Sequence, residues 1–162
     1  MPRAKRSRVI PADRRAVWRV ISDPYHLARW WPKVARVEAV QERRRGIGTL
    51  WTKVLETRAG RGVRADFRCT EFKEPSVYGW QQDIEGTPFA KVLRSSLTTI
   101  RLDDAERGGT RVTLEADQKL RGVSRFGGFM LRRATGTQLD EALDGLEHAL
   151  VGDPAEGRDA VG

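Results

Sequence analysis

A change in the spacing of hydrophobic residues is the feature that most constrains the fold of this chain. Between residues 34 and 120, apolar and polar side chains alternate as in strands that bury one face, whereas the flanking stretches repeat at helical spacing. The clearest strand is 63–72, where Val63, Ala65, Phe67 and Cys69 alternate with polar residues. Short turns separate about six such segments, which predicts that neighbouring strands pair antiparallel.

Two short helices are predicted before these strands. Val17, Val20 and Ile21 lie three and four residues apart, which places them on one helical face. Asp23 followed by a proline is typical of an N-cap and a first helical position. A second helix is therefore expected over Pro24–Trp31.

A long helix is predicted after the strands. Its apolar stripe consists of Leu139, Leu143, Leu146 and Leu150. An earlier stripe that includes Phe126 and Met130 is out of phase with the leucines, so we expect a bend near Gly136. An antiparallel sheet of this length must bury one face, and the terminal helix is the one predicted element long enough to cover it.

The predicted architecture is α+β, with a curved antiparallel sheet of about seven strands wrapped around the C-terminal helix. The seventh strand is a short one at Ser7–Ile10, before the two helices. A chain of 162 residues is within the range of one domain, which we place at residues 1–151. Residues 152–162 follow the helix-ending Gly152 and Pro154, and we expect them to be a disordered tail.

The composition excludes several classes of protein. No apolar run approaches the ~20 residues that cross a bilayer, and no apolar segment follows the basic N-terminus as in a secretory signal. The single cysteine, Cys69, excludes an internal disulfide and suits a reducing compartment. With two histidines and one cysteine, neither a metal site nor a cofactor is expected. We expect a soluble, cytoplasmic protein.

The net charge of +8 and the isoelectric point near 10.3 raise the question of an anionic partner. A nucleic-acid-binding protein concentrates its basic residues on one face. Here they are spread along the whole chain in short clusters such as Lys5-Arg6 and Arg132-Arg133. A solvated basic surface is the favoured interpretation, and docking on RNA, the ribosome or an anionic membrane is the alternative.

Five segments resemble the START-like, or polyketide cyclase and lipid-transport, superfamily, whose fold is called the helix grip. They lie in the family's order and together span roughly residues 5–151. The segments are Ile10–Pro24, with its Val-Trp and Ser-Asp-Pro, Leu27–Pro32, Thr70–Pro75, Gly109–Thr113 and Gln138–Leu146.

The resemblance implies a cavity between sheet and helix rather than one activity. Members of the superfamily bind lipids, sterols, hormones or polyketides, and some cyclise or dehydrate polyketides. We therefore expect binding, and in a carrier also transport, of a small hydrophobic ligand such as a lipid or polyketide. A polyketide cyclase or dehydratase is the first alternative, and docking by the basic surface is the second.

The predicted pocket would be lined by inward strand positions and by the near face of the terminal helix. The candidates are Phe67, Tyr78, Trp80, Gln82, Leu97, Thr99, Leu114, Ala116 and Gln118 on the sheet, and Phe126, Phe129, Met130 and Arg133 on the helix. Gln82 and Gln118 are in register with apolar residues, and a buried amide needs either an internal partner or a polar group of the ligand. The glycine-containing stretch 126–130 is a candidate pocket rim, and Trp30-Trp31 a candidate gate.

No catalytic motif is present in the sequence. His26 and His148 are interpreted as solvated, and Cys69 as an inert buried thiol. If the protein is a cyclase, its acid/base group has to lie in the pocket. The candidates are Arg133, Tyr78 and Asp66, although Asp66 falls on the polar face of its strand.

Overall fold

Seven strands form one antiparallel sheet that curves around a long C-terminal helix. The structure is a computed structural model that describes residues 3–43, 46–56, 62–122 and 125–152, without the side chains of residues 125 and 126. The strands are β1 (Arg3–Ile10), β2 (Val34–Gln41), β3 (Leu50–Leu55), β4 (Val63–Lys73), β5 (Val77–Asp83), β6 (Leu93–Asp104) and β7 (Thr110–Leu120). The helices are α1 (Arg14–Ile21), α2 (Leu27–Trp30) and α3 (Arg125–Val151), and 3-10 turns span Pro24–His26, Pro88–Lys91 and Glu106–Gly108.

Two aspartates start the short helical segments, as the sequence predicts. The Asp13 carboxylate accepts a hydrogen bond from the backbone N–H of Ala16 at 2.8 Å, and α1 begins at the next residue. Asp23 accepts in the same way from the N–H of Tyr25 at 3.0 Å. The second predicted helix is divided, with a 3-10 turn before the single turn of α2.

The strand order is β1-β7-β6-β5-β4-β3-β2, so the six strands from β2 to β7 form a meander and β1 closes its far edge. The predicted strand at Ser7–Ile10 is longer than expected and begins at Arg3, because β1 pairs with β7 along its whole length. A register shift interrupts the β6–β7 ladder between Leu93 and Ser95. Beyond such a bulge the two faces of a strand exchange.

The core lies on the inner face of the sheet. All five tryptophans are buried there, together with the inward residues of β4 and β7. Trp18 and Tyr78 pack edge to face, as do Trp31 and Trp80, with ring centroids 6.0 and 5.1 Å apart. The large rings therefore form walls between the sheet and the helices.

The C-terminal helix packs on β1, β7 and α2 through its second half. Leu139, Leu143 and Leu146 are fully buried, as their spacing predicts. On the β1 side, Arg8 pairs with Asp144 at 2.6 Å and with Glu147 at 3.2 Å. The helix continues through Gly136 without interruption. Its two halves differ in burial, because the residues before Thr135 are largely exposed.

Among the residues that the structure describes, no helix is both long and apolar enough to span a lipid bilayer. The predicted tail, residues 152–162, lies outside the described residues except for Gly152.

Candidate functional site

A cavity of about 200 Å³ lies between the inner face of the sheet and α3, and we call it the Lys53 cavity. Strands β3 to β7 supply most of its wall, and Trp31 after α2 and Gln138 of α3 close it. Its lining consists of Trp31, Lys53, Leu55, Ala65, Phe67, Trp80, Gln82, Phe89, Leu93, Ser96, Thr98, Ala116, Gln118 and Gln138. The wall is thus mainly aromatic and apolar, with several neutral polar groups and one amine.

Lys53 is the unexpected residue of this cavity. It lies in the middle of β3, two residues from Trp51, and therefore points to the same inner face of the sheet. Ala65 is its partner across the β3–β4 ladder and offers almost no side chain to cover it. Only 2% of Lys53 is exposed, although lysine is rarely buried without an ionic partner.

Three aromatic rings surround the amine of Lys53. Its Nζ lies 4.2 Å from the ring centroid of Phe67, 4.7 Å from that of Trp80 and 4.8 Å from that of Trp31. The negative faces of aromatic rings attract an ammonium group, and the attraction strengthens away from water. The rings therefore offset part of the desolvation cost of a charge at this position.

Burial lowers the pKa of the Lys53 amine from its ordinary value of 10.5 to about 7. No acidic residue lines the cavity among the parts of the chain that the structure describes, and none of them pairs with Lys53. At neutral pH the amine is therefore divided between its charged and neutral forms. A group of this kind can donate a proton, accept one, or bind an anion.

The two glutamines of the cavity differ in their hydrogen bonding. The Gln118 carbonyl accepts a hydrogen bond from the Thr135 hydroxyl at 3.0 Å, and its amide donates to Ser96 Oγ at 3.4 Å. By contrast, the buried Nε2 of Gln82 has no hydrogen-bond partner among the described residues. Gln118 thus belongs to an internal network, whereas Gln82, which also lines the cavity, has an amide donor without a partner among the described residues.

A larger, open cleft of about 570 Å³ adjoins the Lys53 cavity, and we call it the outer cleft. It lies between α3 and the turn after α2. Its lining consists of Pro32, Lys33, Gln118, Met130, Leu131, Arg133, Ala134, Thr135, Thr137, Gln138 and Glu141. Because Gln118 and Gln138 line both spaces, they form the partition between them, and the Gln118–Thr135 hydrogen bond spans it.

The structure brings five of the predicted pocket residues to the Lys53 cavity: Phe67, Trp80, Gln82, Ala116 and Gln118. Tyr78 and Leu114 point inward as well, but they are packed in the core and do not line this cavity. As ligand contacts, all seven stay predictions.

The predicted inward orientation of Leu97 and Thr99 is wrong. Leu97 is 39% exposed, and both residues alternate in β6 with the buried Thr98 and Ile100. The bulge after Leu93 is the reason, because it places Ser96 and Thr98 on the inner face where an unbroken strand would place Leu97 and Thr99.

The predicted pocket residues of α3 whose side chains are described lie outside the Lys53 cavity. Met130 and Arg133 line the outer cleft, and Phe129 is 56% exposed. The side chain of Phe126 lies outside the described residues. Where the predicted rim at 126–130 is described it is largely exposed, and its Gly127 and Met130 line an open cleft with Val92 and Leu120 rather than the Lys53 cavity.

Of the two tryptophans proposed as a gate, only Trp31 lines the cavity. Trp30 is buried in the packing between α2 and α3, and its carbonyl oxygen lies against Gly145. The pair meets edge to face with centroids 5.3 Å apart. Trp31 is accordingly a wall that also contacts Lys53.

The acid/base candidates from the sequence are poorly placed for cavity chemistry. Asp66 is exposed on the outer face of β4, where it accepts a hydrogen bond from Thr52 at 2.6 Å. Burial raises the pKa of the Tyr78 phenol far above its usual range, which keeps it neutral. Arg133 lines the outer cleft.

Cys69 and the histidines show no catalytic arrangement. Burial raises the pKa of the Cys69 thiol to about 11, and its Sγ donates to the carbonyl of Glu71 at 3.3 Å, as expected of an inert thiol. His148 is exposed, whereas His26 is half-buried with Nδ1 3.2 Å from the carbonyl oxygen of Val20. The described residues include no cluster of three side chains suited to binding a metal.

Lys53 is not among the pocket residues predicted from the sequence. The signal is nevertheless present in the sequence, since Lys53 alternates with Trp51 and Leu55 on what must be the apolar face. A lysine at such a position is a candidate for a perturbed pKa.

Comparison with solved structures supports the fold. The protein TTHA0849 of Thermus thermophilus is 24% identical, covers 93% of this chain and 97% of its own length, and superposes with a TM-score of 0.70. A START superfamily protein from Mycobacterium smegmatis, at 12% identity, covers 91% and 96% with a TM-score of 0.74. The Zhui aromatase/cyclase from Streptomyces sp. R1128, at 17% identity, covers 91% and 92% with a TM-score of 0.72. At these identities the likeness shows the helix-grip fold alone.

Among curated proteins, no sequence matches this one. The profile of the family described as polyketide cyclase / dehydrase and lipid transport matches residues 1–151, which is nearly the whole chain. The chain therefore belongs to the polyketide cyclase / dehydrase and lipid transport family.

Proposed function

We propose that this protein binds a small apolar molecule in the Lys53 cavity. The observation that carries the proposal is an aromatic-walled cavity, between sheet and helix, whose few polar groups include a free donor on Gln82 and the unpaired amine of Lys53. Ligand sites in proteins commonly have the same composition, with an apolar wall and a few polar groups that orient the ligand. The volume of about 200 Å³ suits a molecule of one or two fused rings rather than a long-chain lipid.

The outer cleft supplies a route to this cavity. Its floor is the partition formed by Gln118 and Gln138, and both side chains are neutral. A ligand would enter by displacing these amides and breaking the hydrogen bond between Gln118 and Thr135. Net loss of such a bond costs only about 1 kcal/mol, so entry requires no unfolding of the sheet.

Filling the cavity tests the proposal. The Ala116→Leu variant adds a branched side chain at a cavity-lining position that is 5% exposed, and we expect it to weaken binding of 2-naphthoic acid or 2-naphthamide by about tenfold or more. Ala35→Leu, at an exposed position in β2, is the matched control and should bind as the wild type does. Isothermal titration calorimetry measures both.

Native mass spectrometry of the purified wild type, followed by organic extraction, would identify a ligand that co-purifies. Equal affinity in the wild type and Ala116→Leu, or the absence of any binding in the wild type, would contradict the proposal.

A polyketide cyclase or dehydratase is the second candidate, and Lys53 is the observation that favours it. A structural neighbour is described as an aromatase/cyclase. With a pKa of about 7, the neutral amine can remove a proton from a carbon between two carbonyl groups. The resulting enolate carbon attacks a second carbonyl, and the Lys53 ammonium returns the proton to the new alkoxide. Loss of water from that alcohol would complete a dehydration.

The test for this candidate is turnover of a short β-polyketone thioester, followed by mass spectrometry of the products. A cyclase should accelerate loss of water, and Lys53→Met should remove the acceleration while leaving the product of spontaneous cyclisation. No acceleration by the wild type would leave binding as the function.

A further inference from the structure

We infer that the molecule bound in the Lys53 cavity is a weak organic acid, with a flat apolar body and one carboxyl, enol or phenol group that becomes the counter-ion of Lys53. This inference rests on the binding function proposed above and adds the chemical class of the ligand. It follows from the charges, donors and shape of the cavity.

The cavity contains a basic amine without an acidic partner among the described residues. Lys53 is 2% exposed, and every other described residue of the lining is uncharged, whether it comes from the sheet, from Trp31, from Phe89 or from Gln138 of α3. A buried charge is normally paired, because losing water without gaining a partner is unfavourable. An acidic group on the ligand would supply the partner that the chain does not.

The donors match one small acidic group. Lys53 and Gln82 both line the cavity, and the buried Nε2 of Gln82 has no hydrogen-bond partner among the described residues. Two N–H donors suit the two oxygens of a carboxylate or of an enolised dicarbonyl. A phosphate would need more charge than one lysine provides, and the cavity lining has no second cation.

The aromatic walls select the rest of the molecule. Phe67, Trp80 and Trp31 all lie within 5 Å of Nζ by their ring centroids, so a ligand group bound to the amine would also contact these rings. A flat ring fits such a space and stacks on its walls. A bulky or strongly hydrated anion does not.

The charges outside the cavity favour the same class of ligand. The titratable groups of the outer cleft are Lys33, Arg133 and Glu141, all exposed, which amounts to two cations and one anion. A cleft of this sign attracts an anionic ligand before it reaches the partition.

A matched pair of probes tests the inference. 2-Naphthoic acid and 2-naphthamide have nearly the same shape, but only the first becomes an anion. By isothermal titration calorimetry at pH 7, we expect the wild type to bind the acid at least about tenfold more tightly than the amide. The Lys53→Met variant should lose this preference while retaining the amide, and Lys119→Met, at an exposed position in β7, should keep it.

The pH dependence provides a second readout with a defined sign. The free amine has a pKa of about 7 and the bound anion requires the ammonium form, so binding takes up a proton above that pH. The affinity for the acid should be nearly constant between pH 5.5 and 6.5 and fall by up to about tenfold per pH unit above pH 7. The affinity for the amide should not follow this curve.

The outcomes separate this inference from the function on which it rests. Equal affinities for acid and amide in the wild type, both lost in Ala116→Leu, would overturn the acid class and leave the binding site standing. Binding of neither probe would overturn both. A further outcome is that 2-naphthaldehyde and cyanoborohydride form a covalent adduct on Lys53 while the acid does not bind. This result would overturn the acid class and indicate a carbonyl ligand held as an imine.

Discussion

Lys53 costs the folded protein stability, because its amine loses water without gaining an acidic partner. Its pKa is about 7 in the folded state and 10.5 in the absence of burial. Between these values the unfolded chain binds more protons than the folded protein does. The contribution of Lys53 to stability is therefore most unfavourable below pH 7 and recovers as the pH rises toward 10.5.

Replacing Lys53 with methionine should stabilise the protein. Methionine fills similar space among the rings without a charge, so we expect the free energy of unfolding at pH 7 to rise by about 1–4 kcal/mol. The gain over the wild type should shrink as the pH rises from 7 to 10, because the unfolded wild-type chain is then stabilised less by the proton on Lys53. Urea unfolding of both proteins across this pH range measures the difference.

Lys119→Met is the control for that experiment, since Lys119 is exposed and its amine keeps its water. Its effect should be within about 0.5 kcal/mol at every pH. A Lys53→Met protein that is less stable than the wild type at pH 7 would show that the aromatic rings more than offset the desolvation of the ammonium.

The elements around the cavity are positioned by close backbone contacts. Helix α2 lies against α3 where the carbonyl oxygen of Trp30 approaches Gly145. A Cβ at position 145 would collide with this backbone oxygen, which cannot rotate away. Gly145 therefore allows α2 to pack closely on α3 and to place the following residue, Trp31, at the cavity wall.

Gly145→Ala should push α2 away from α3. We expect the free energy of unfolding to fall by about 1–3 kcal/mol, as for overpacked cores. Gly136→Ala is the matched control in the same helix, because the atoms nearest to the added Cβ belong to the guanidinium end of Arg6, which can move. Alanine also favours the helix by up to about 1 kcal/mol, so Gly136→Ala should be neutral or stabilising. Thermal unfolding of the two variants compares them, and equal losses would contradict this assignment.

For the whole molecule, whose net charge is +8, several basic residues are held in ion pairs that connect elements. Arg8 of the basic N-terminal strand pairs with Asp144 and Glu147 of α3, and Arg3 pairs with Glu115 and Asp117 of β7. These arginines fasten β1 to its neighbours. They are therefore less available to RNA or to a membrane than the sequence suggests.

We expect only weak, salt-sensitive binding of this protein to anionic surfaces. Fluorescence anisotropy with a 20-nucleotide single-stranded RNA, and co-sedimentation with phosphatidylserine vesicles, should show binding at about 50 mM salt that falls by orders of magnitude at about 200 mM. Tight binding that persists at the higher salt concentration would favour docking by the basic surface as the function.

The periodic elements were predictable from the sequence because their signals are local. The alternation in β4 and β7, the leucine stripe of α3 and the aspartate caps each depend on side chains a few residues apart. Together with the order of the elements, they determined the α+β architecture and the inner face that carries Phe67, Trp80 and Ala116.

Tertiary structure alone decided which inward residues border empty space and which are packed. Tyr78 and Leu114 share the inner face with Trp80 and Ala116, yet they are covered by other side chains. The bulge in β6 reversed the faces of Leu97 and Thr99, and no residue type at that point marks it. Local patterns carry no information on such choices, because a cavity is what remains when distant elements have packed.

Lys53 shows both contributions in one residue. Its place on the apolar face follows from the period of two in β3, and is therefore a property of the sequence. Only the three-dimensional packing encloses its amine with rings from β4, from β5 and from the residue after α2. The same packing leaves no carboxylate beside the amine among the described residues. The lowered pKa is a consequence of this packing, because desolvation depends on every element that excludes water from the amine.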